Sequence, residues 1–457
     1  MKEKKLFDAI TDVQDQLVEE ARTTKLKRTF FTWQKITAIA VCAAMVVIGA
    51  VSILPHSGNG IDPALMNVVF PKAYAFDDDE ARRTVIKSNP VDDRFLKAVN
   101  DFSYTTSSQL LADRSGNTNY SPLSLYYALA LAATGSEGET ADELHSLLGV
   151  SDSGELSEQG GNLYRQLYSD NRIGKLKIAN SLWMDDAVTW NLDYVKNAAE
   201  NFYASSYNVD LADTQTSKAM AQWVSEHTNG TLLPEFETNS EQILSILNTV
   251  YFYDQWMDKF DKSKTAEDTF YLSDGTTVNG EFMNSSYGSA GFTKGEGFTR
   301  AGLGLKNSGR MVFILPDEGV SLKTLLSSPE QLRVAFEGGE DRYGEVVWQI
   351  PKFSFDSKFD LASALKDLGV HAAFEQDANF SGMTNETAFI SNIRQETHIA
   401  IDENGVEASA FTEMGYSGSA PPERRADMIL NRPFLYGITA PNGTLLFVGI
   451  CENPAAN

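Results

Sequence analysis

The sequence predicts an α+β fold for most of its length, on three observations. Helical spacing of apolar residues dominates the earlier part, as in 125–133 and 222–227, while strand signals dominate the later part, as in 311–315, 346–350 and 445–448. The two kinds of segment do not alternate regularly, which argues against a doubly wound parallel sheet. From about residue 90 onward the composition is even, with no Pro-rich or Ser-rich break and no repeat, so these elements read as one domain, 89–457.

The N-terminal end reads differently. Residues 1–35 hold eight Lys or Arg and six Asp or Glu. Within them Phe7, Ile10, Val13, Leu17 and Ala21 recur at helical spacing, which predicts a short amphipathic helix. Residues 36–54, ITAIAVCAAMVVIGAVSIL, run 19 positions without a charge. At 1.5 Å per residue that covers about 30 Å of hydrocarbon, so a transmembrane helix is expected. Lys25, Lys27, Arg28 and Lys35 beside it assign 1–35 to a cytoplasmic segment and everything after Leu54 to the cell exterior. The alternative is a secreted protein released by cleavage. Against it, the charged leader is long for a signal, and the site-like Ala73-Tyr74-Ala75 lies well past the apolar run. Residues 55–88, with Pro, Gly, Asn and the acidic run Asp77-Asp78-Asp79-Glu80, read as a tether.

Charge and residue usage then exclude several function classes. With 38 basic and 62 acidic residues the net charge is -24, which repels phosphate backbones and argues against a nucleic-acid partner. Two cysteines, Cys42 and Cys451, cannot build a disulfide scaffold or a multi-cysteine metal site. The histidines at 56, 145, 227, 371 and 398 show no H-x-x-x-H spacing, so a His-based metal site has little to start from and no metal is expected. Ser363-Ala364-Leu365-Lys366 and Ser169-Asp170-Asn171 match two motifs of penicillin-binding enzymes, but in reversed order and without K-T-G. No G-x-S-x-G elbow and no Gly-rich phosphate loop occurs, so no catalytic residues are assigned.

One stretch carries a mechanism. Thr397, Ile399 and Ile401 alternate with His398 and Ala400, which predicts a strand. The turn-like Asp402-Glu403-Asn404-Gly405 comes next, and then the alternation resumes instead of giving way to a loop. Val406, Ala408, Ala410 and Thr412 face one way; Glu407, Ser409, Phe411 and Glu413 face the other. A loop in water gains nothing from that pattern, whereas a segment that must sometimes become a central strand does. Its inward residues must be small and it must lack proline, which would remove a ladder donor. No proline occurs from Val406 to Ala420, and Pro421-Pro422 come only then.

The run Glu403-Asn404-Gly405-Val406-Glu407-Ala408-Ser409-Ala410-Phe411-Thr412 resembles the hinge of an inhibitory serpin, whose usual form is E-E-G-T-E-A-A-A-A-T. Other pieces resemble the family in the right order. Asn119-Tyr120-Ser121-Pro122-Leu123-Ser124 is similar to a helix start, and Ala179-Asn180-Ser181-Leu182-Trp183 to a central strand. Leu247-Asn248-Thr249-Val250-Tyr251-Phe252 with Trp256 and Phe260 is similar to the next strand. Pro351-Lys352-Phe353, Phe380-Ser381-Gly382-Met383, Asn431-Arg432-Pro433-Phe434-Leu435 and Phe447-Val448-Gly449 continue the match, over about 90–456. The acidic domain, single span and lack of disulfides suggest a bacterial member of this family.

The resemblance implies a large central β-sheet with surrounding helices and an exposed reactive loop, and a monomeric inhibitor of extracellular serine proteases. A protease attacks the loop and forms an acyl-enzyme; the hinge then inserts as a strand and carries the trapped protease away, so the resemblance implies a suicide substrate that is not an enzyme and needs no cofactor. Glu403, Gly405 and Val406 through Thr412 form the hinge, with Gly405 supplying backbone freedom. Ser121, Asn180, Asn248 and Trp256 lie where the sheet opens. The attacked residue sits about fourteen positions after the hinge glycine, giving Ser419 with Ala420 after it; aligning on the prolines gives Gly418-Ser419. Such tiny residues suit an elastase-like or subtilisin-like protease. Phe411 departs from the small residue expected but falls on the outward face. The second reading is a non-inhibitory serpin-like binding protein.

Overall fold

The computed structural model describes residues 64–66, 68–237, 240–307, 309–391, 393–406 and 424–456. The helices are α1 (Asp79–Ser88), α2 (Asp93–Leu111), α3 (Pro122–Ala133), α4 (Gly138–Leu148), α5 (Ser153–Leu167), α6 (Leu192–Phe202), α7 (Thr214–His227), α8 (Leu322–Leu326), α9 (Pro329–Glu337) and α10 (Ala362–Asp367). The first seven precede most of the strands, which is the early-helix, late-strand bias of the sequence.

One sheet runs β1 (Ala64–Met66), β5 (Ala204–Val209), β4 (Gly174–Asp185), β6 (Leu244–Gln255), β14 (Gly405–Val406), β13 (Arg394–Asp402), β12 (Phe353–Asp360), with β3 (Ser169–Asp170) on β4. The other runs β15 (Arg425–Ile429), β11 (Glu340–Pro351), β8 (Thr277–Gly295), β9 (Phe298–Leu305), β10 (Gly309–Pro316), β16 (Phe434–Thr439), β17 (Leu445–Cys451), β2 (Thr118–Tyr120), with β7 (Ala266–Tyr271) on β8. Helices and large mixed sheets make this an α+β fold, as the sequence predicts.

Local chemistry explains the elements around the first sheet. Along β13, Gln395, Thr397, Ile399 and Ile401 are buried while their neighbours are half exposed, the period-2 pattern read from the sequence. The start of α3 is fixed by Ser121, whose hydroxyl accepts from Ser124 N, and by Pro122 in the first turn. Its residues are apolar nearly all round, so it is buried beneath the sheet. By contrast α7, capped by Asp213, buries only Met220, Trp223, Val224 and Thr216. Its apolar stripe packs with Ala179, Trp183 and Leu247 on the opposite, outer face of β4 and β6.

The membrane localisation expected from the apolar run is corrected. Among the described residues no helix is long and apolar enough to cross a membrane. The longest, α2, has 19 residues, but Asp93, Arg94, Lys97 and Asp101 interrupt its apolar positions and leave it one buried face. The run 36–54 and the amphipathic stretch 7–21 lie outside the described residues. Within the stretch read as a tether, the described residues form β1 and α1, the latter started by the Asp78 carboxylate accepting from Ala81 N at 2.9 Å.

Candidate functional site: a parted sheet and the hinge that enters it

Strands β6 and β13 do not pair with each other. Between them stands β14, two residues long, antiparallel to both. Gly405 lies opposite Gln255 on one side and Asp402 on the other; Val406 lies opposite Asp254 and Ile401. Below Val406 no described residue fills the seam. Val406 is 3% exposed and shares the inner face with Ile401, so the first hinge side chain is already in the core. A side chain at 405 has no room: its Cβ would meet the Asp254 carbonyl oxygen at 2.1 Å. Gly405 is thus required by close approach of two strands, in addition to the backbone freedom read from the sequence.

The top of the seam is tied by Trp256, which is fully buried. Its ring N–H donates to the Asp402 carbonyl at 2.8 Å, and its backbone N–H to the Asn404 carbonyl at 3.0 Å. Phe260 N–H donates to the Glu403 carbonyl at 3.0 Å. The turn itself is an Asx turn, with the Asp402 carboxylate accepting from Asn404 N at 2.7 Å and Gly405 N at 3.3 Å. Glu403 is buried and accepts from the Thr265 hydroxyl at 2.9 Å; Lys352 Nζ lies 3.5 Å away and also reaches Glu281 at 3.1 Å.

Burial raises the pKa of the Glu403 carboxyl, but its own backbone N–H, Thr265 and the Lys352 charge outweigh burial and hold it below the usual value. Burial lowers that of Lys352, but its two carboxylates outweigh this and hold it above the usual value. Glu403 therefore stabilises the folded hinge fully above its unfolded value of about 4.3, and the contribution is lost as pH falls through the lower folded value. Lys352 contributes fully below about 10.4, and its share is lost as pH rises past the higher folded value. Thermal unfolding between pH 3 and 7 should show an acid loss of stability that is smaller in Glu403→Gln; an identical acid loss in both proteins would contradict this role.

Lower down, a polar chain runs under the seam. The Asn180 amide donates to the Phe202 carbonyl at 2.6 Å, and the Asn248 amide donates to Asn180 Oδ1 at 2.6 Å. The Ser124 hydroxyl donates to Asn248 Oδ1. Ser121 carries the chain to the other side: its N–H donates to Gln395 Oε1 at 3.0 Å, and the Gln395 amide donates back to the Ser121 carbonyl at 2.8 Å. Thr397 donates to the Asn119 carbonyl at 2.7 Å. The start of α3 therefore holds β6 through Asn248 and β13 through Gln395, one on each side of the seam. The links through Gln395 are buried and those through Asn248 part-buried, each worth about 1 kcal/mol net and more to break on one side only.

Of the residues expected to form the site, Ser121, Asn180, Asn248, Trp256, Glu403, Gly405 and Val406 come together along this seam. Glu407, Ala408, Ser409, Ala410, Phe411 and Thr412, and the bond candidates Gly418, Ser419 and Ala420, lie outside the described residues. Sequence reasoning did not assign Gln395, Thr397, Ser124, Thr265 or Lys352 to the site. Their partners are distant in the chain, and the one local signal was the polar pair Gln395 and Thr397 on an otherwise apolar face. Among the described residues no group of His, Cys, Asp or Glu could hold a metal ion.

Comparison with known proteins agrees with this geometry. Residues 97–454 match the family described as Serpin (serine protease inhibitor). The chain is 30% identical to Serpin-Z7 of Hordeum vulgare, over 75% of this chain and 91% of that protein. Its fold is similar to that of the native state of Tengpin, a thermophilic serpin, at 26% identity with a TM-score of 0.71, covering 79% of this chain and 95% of the other. It is also similar in fold alone to thyroxine-binding globulin in complex with thyroxine, at 22% identity with a TM-score of 0.70, covering 79% and 99%. The bacterial affinity expected from the sequence is not supported by these matches. With the family profile spanning most of the sequence and the hinge seated in a parted sheet, the chain belongs to the serpin family.

Proposed function

We propose that this serpin inhibits serine proteases of elastase-like or subtilisin-like specificity, acting as a suicide substrate. The observation that carries the proposal is β14: the hinge has begun a strand that two neighbours already pair, and the seam beyond it is unfilled among the described residues. Continuing that register sets Ala408 opposite Phe252 and Ile399, Ala410 opposite Val250 and Thr397, and Thr412 opposite Asn248 and Gln395. All of these neighbours are on the inner face, beside Ile401 and Val406. Cleavage of the loop and acylation of the protease would free the hinge to complete the strand, carrying the acyl-enzyme along the sheet and distorting it before water can deacylate it.

The bait assignment rests on Ser419, with Gly418 and Ala420 beside it. A protease with a narrow apolar primary pocket accepts such residues. Arg425, beyond Pro421-Pro422, is no alternative bait. It begins β15, pairs in register with Glu345 and holds Asp427 at 2.7 Å, so it is not a free extended substrate.

Incubation of the full chain with pancreatic elastase, and then denaturing gel electrophoresis, should yield a covalent band of summed mass. Complete cleavage without that band would leave a substrate and favour a non-inhibitory binding protein. Ser419→Arg should redirect complex formation to trypsin. If Gly418→Arg does so and Ser419→Arg does not, the attacked bond lies one position earlier.

A further inference from the structure

Beside the hinge turn a cation is buried that no described residue bonds. It belongs to the segment 256–260, which follows β6 and is stitched to two neighbours. On one side Trp256 N–H donates to the Asn404 carbonyl at 3.0 Å and Phe260 N–H to the Glu403 carbonyl at 3.0 Å. On the other, Trp256 bridges to Leu305, Met257 N–H donates to the Gly304 carbonyl at 2.8 Å, and Lys306 N–H donates to the Gln255 carbonyl at 2.9 Å. Lys259 therefore lies in a joint where three stretches of chain meet: 256–260, 304–306 and the turn 402–405. Its ammonium nitrogen is closed off from solvent and has no hydrogen-bond partner among the described residues.

The carboxylates around this joint are committed elsewhere. Asp402 accepts from Asn404 N, Gly405 N and the Asn404 amide, and so holds its own turn. Glu403 takes Thr265 and Lys352. Asp261 accepts from the N–H and the hydroxyl of Ser263, at 2.9 and 2.7 Å. Asp258 is exposed, and its charge acts on Tyr287. More positive charge reaches Lys259 instead. Burial lowers its pKa most and the Lys306 charge next; Asp402 opposes them, and Lys262 lowers it again. An ammonium taken out of water is costly unless a counter-charge comes with it. In a chain of net charge -24, a cation left in this state beside two others marks a place for an anion.

We propose that Lys259 and Lys306, with the exposed Lys262 at the rim, form a site for a small tetrahedral oxyanion of the phosphate type. Ammonium groups donate as compact point charges and bind phosphate in that way, without the planar fork of arginine. A doubly charged oxyanion balances two lysines at once, which chloride does not. The site does not depend on the chain inhibiting a protease.

The test titrates inorganic phosphate into the full chain by calorimetry, with sodium chloride at equal ionic strength as control. One saturable site is expected, with a Kd of about 1 mM or tighter. The melting temperature should rise with phosphate and not with chloride. Lys259→Met keeps the apolar stem and removes the charge. It should weaken binding by about tenfold or more, and without phosphate it should melt above the wild type, because the uncompensated charge is gone. Lys306→Met should weaken binding several-fold, and a change at the remote, exposed Lys323, Lys323→Met, should leave it unaltered. O-phosphoserine separates the two sources of the group: binding of inorganic phosphate alone marks a closed site for the free ion, and equal binding marks a site open to phosphate esters. No saturable phosphate binding, binding reproduced by chloride, or full binding in Lys259→Met overturns the site. A Lys259→Met chain that melts below the wild type without phosphate overturns the unpaired ammonium on which the site rests.

Discussion

Cutting the chain near Ser419 should raise its melting temperature by about 5–10 °C. An ordinary exposed loop, once cut, leaves stability unchanged or lower. Here the cut frees residues 407–412 to continue β14. In a central antiparallel strand each residue pairs both its N–H and its C=O with one neighbour or the other, two ladder hydrogen bonds worth about 1 kcal/mol net apiece. The existing edges of β6 and β13 along the seam gain partners at the same time. Small inward residues enter without overpacking against Phe252, Ile399, Val250 and Thr397. Ordering the backbone opposes this by about 1–2 kcal/mol per residue, but the uncut loop is already held at Val406 and at Arg425. A net gain of about 5 kcal/mol corresponds to the stated shift at about 1–2 °C per kcal/mol, as expected for a domain of about 370 residues. Thermal unfolding before and after limited proteolysis, with the cut located by mass, measures it. A cleaved form that melts at or below the intact one would remove the metastable mechanism and leave the fold untouched.

The second large effect is loss of inhibition from single hinge substitutions that leave the bait intact. Ala410→Glu would bring a carboxylate between Val250 and Thr397, buried and unpaired, at a cost of several kcal/mol. Ala408→Pro would delete a ladder donor and force its ring into the strand. Both should leave the association rate with elastase near that of the wild type, because the bait candidates Gly418, Ser419 and Ala420 are unchanged. Both should abolish the covalent band and convert the chain to a substrate cleaved at the same bond. If both variants form the band at wild-type yield, the hinge does not insert in this register.

Much of this was legible in the sequence, for identifiable reasons. The period-2 pattern through Ile401 and Val406 is dictated by a sheet face, so faces and strand direction could be read locally. Asn180 and Asn248 were found through the pieces that resemble the family, and the structure adds that they bond to each other. What could not be read are contacts that depend on where distant segments meet. Lys352 looks like an ordinary surface lysine until β11 delivers it to Glu403. Gln395 looks like a strand residue until α3 turns out to sit beneath the seam. Phe70 lay in a stretch whose Pro, Gly and acidic residues suggested a tether, and nothing in that composition shows a ring finding Tyr168 and His227. The localisation inferred from 36–54 shows the opposite error: an apolar run was given a cellular placement that no described helix supports.

The seating of Gly405 and Val406 between β6 and β13 has a kinetic consequence. Growth of ordered backbone is slow to start and fast to continue, because the first pairs must fix register and conformation before many bonds repay the lost freedom. In this chain the start exists before any protease arrives: Gly405 and Val406 already have partners on both sides. Once the loop is cut, the strand elongates from a fixed end, with no search among registers. On the proposed mechanism, inhibition is a race between that elongation and hydrolysis of the acyl-enzyme, and the seated pair would give elongation its head start. Substituting Gly405 would forfeit this advantage by expelling the seed, so the variant should be cleaved as before yet lose the race.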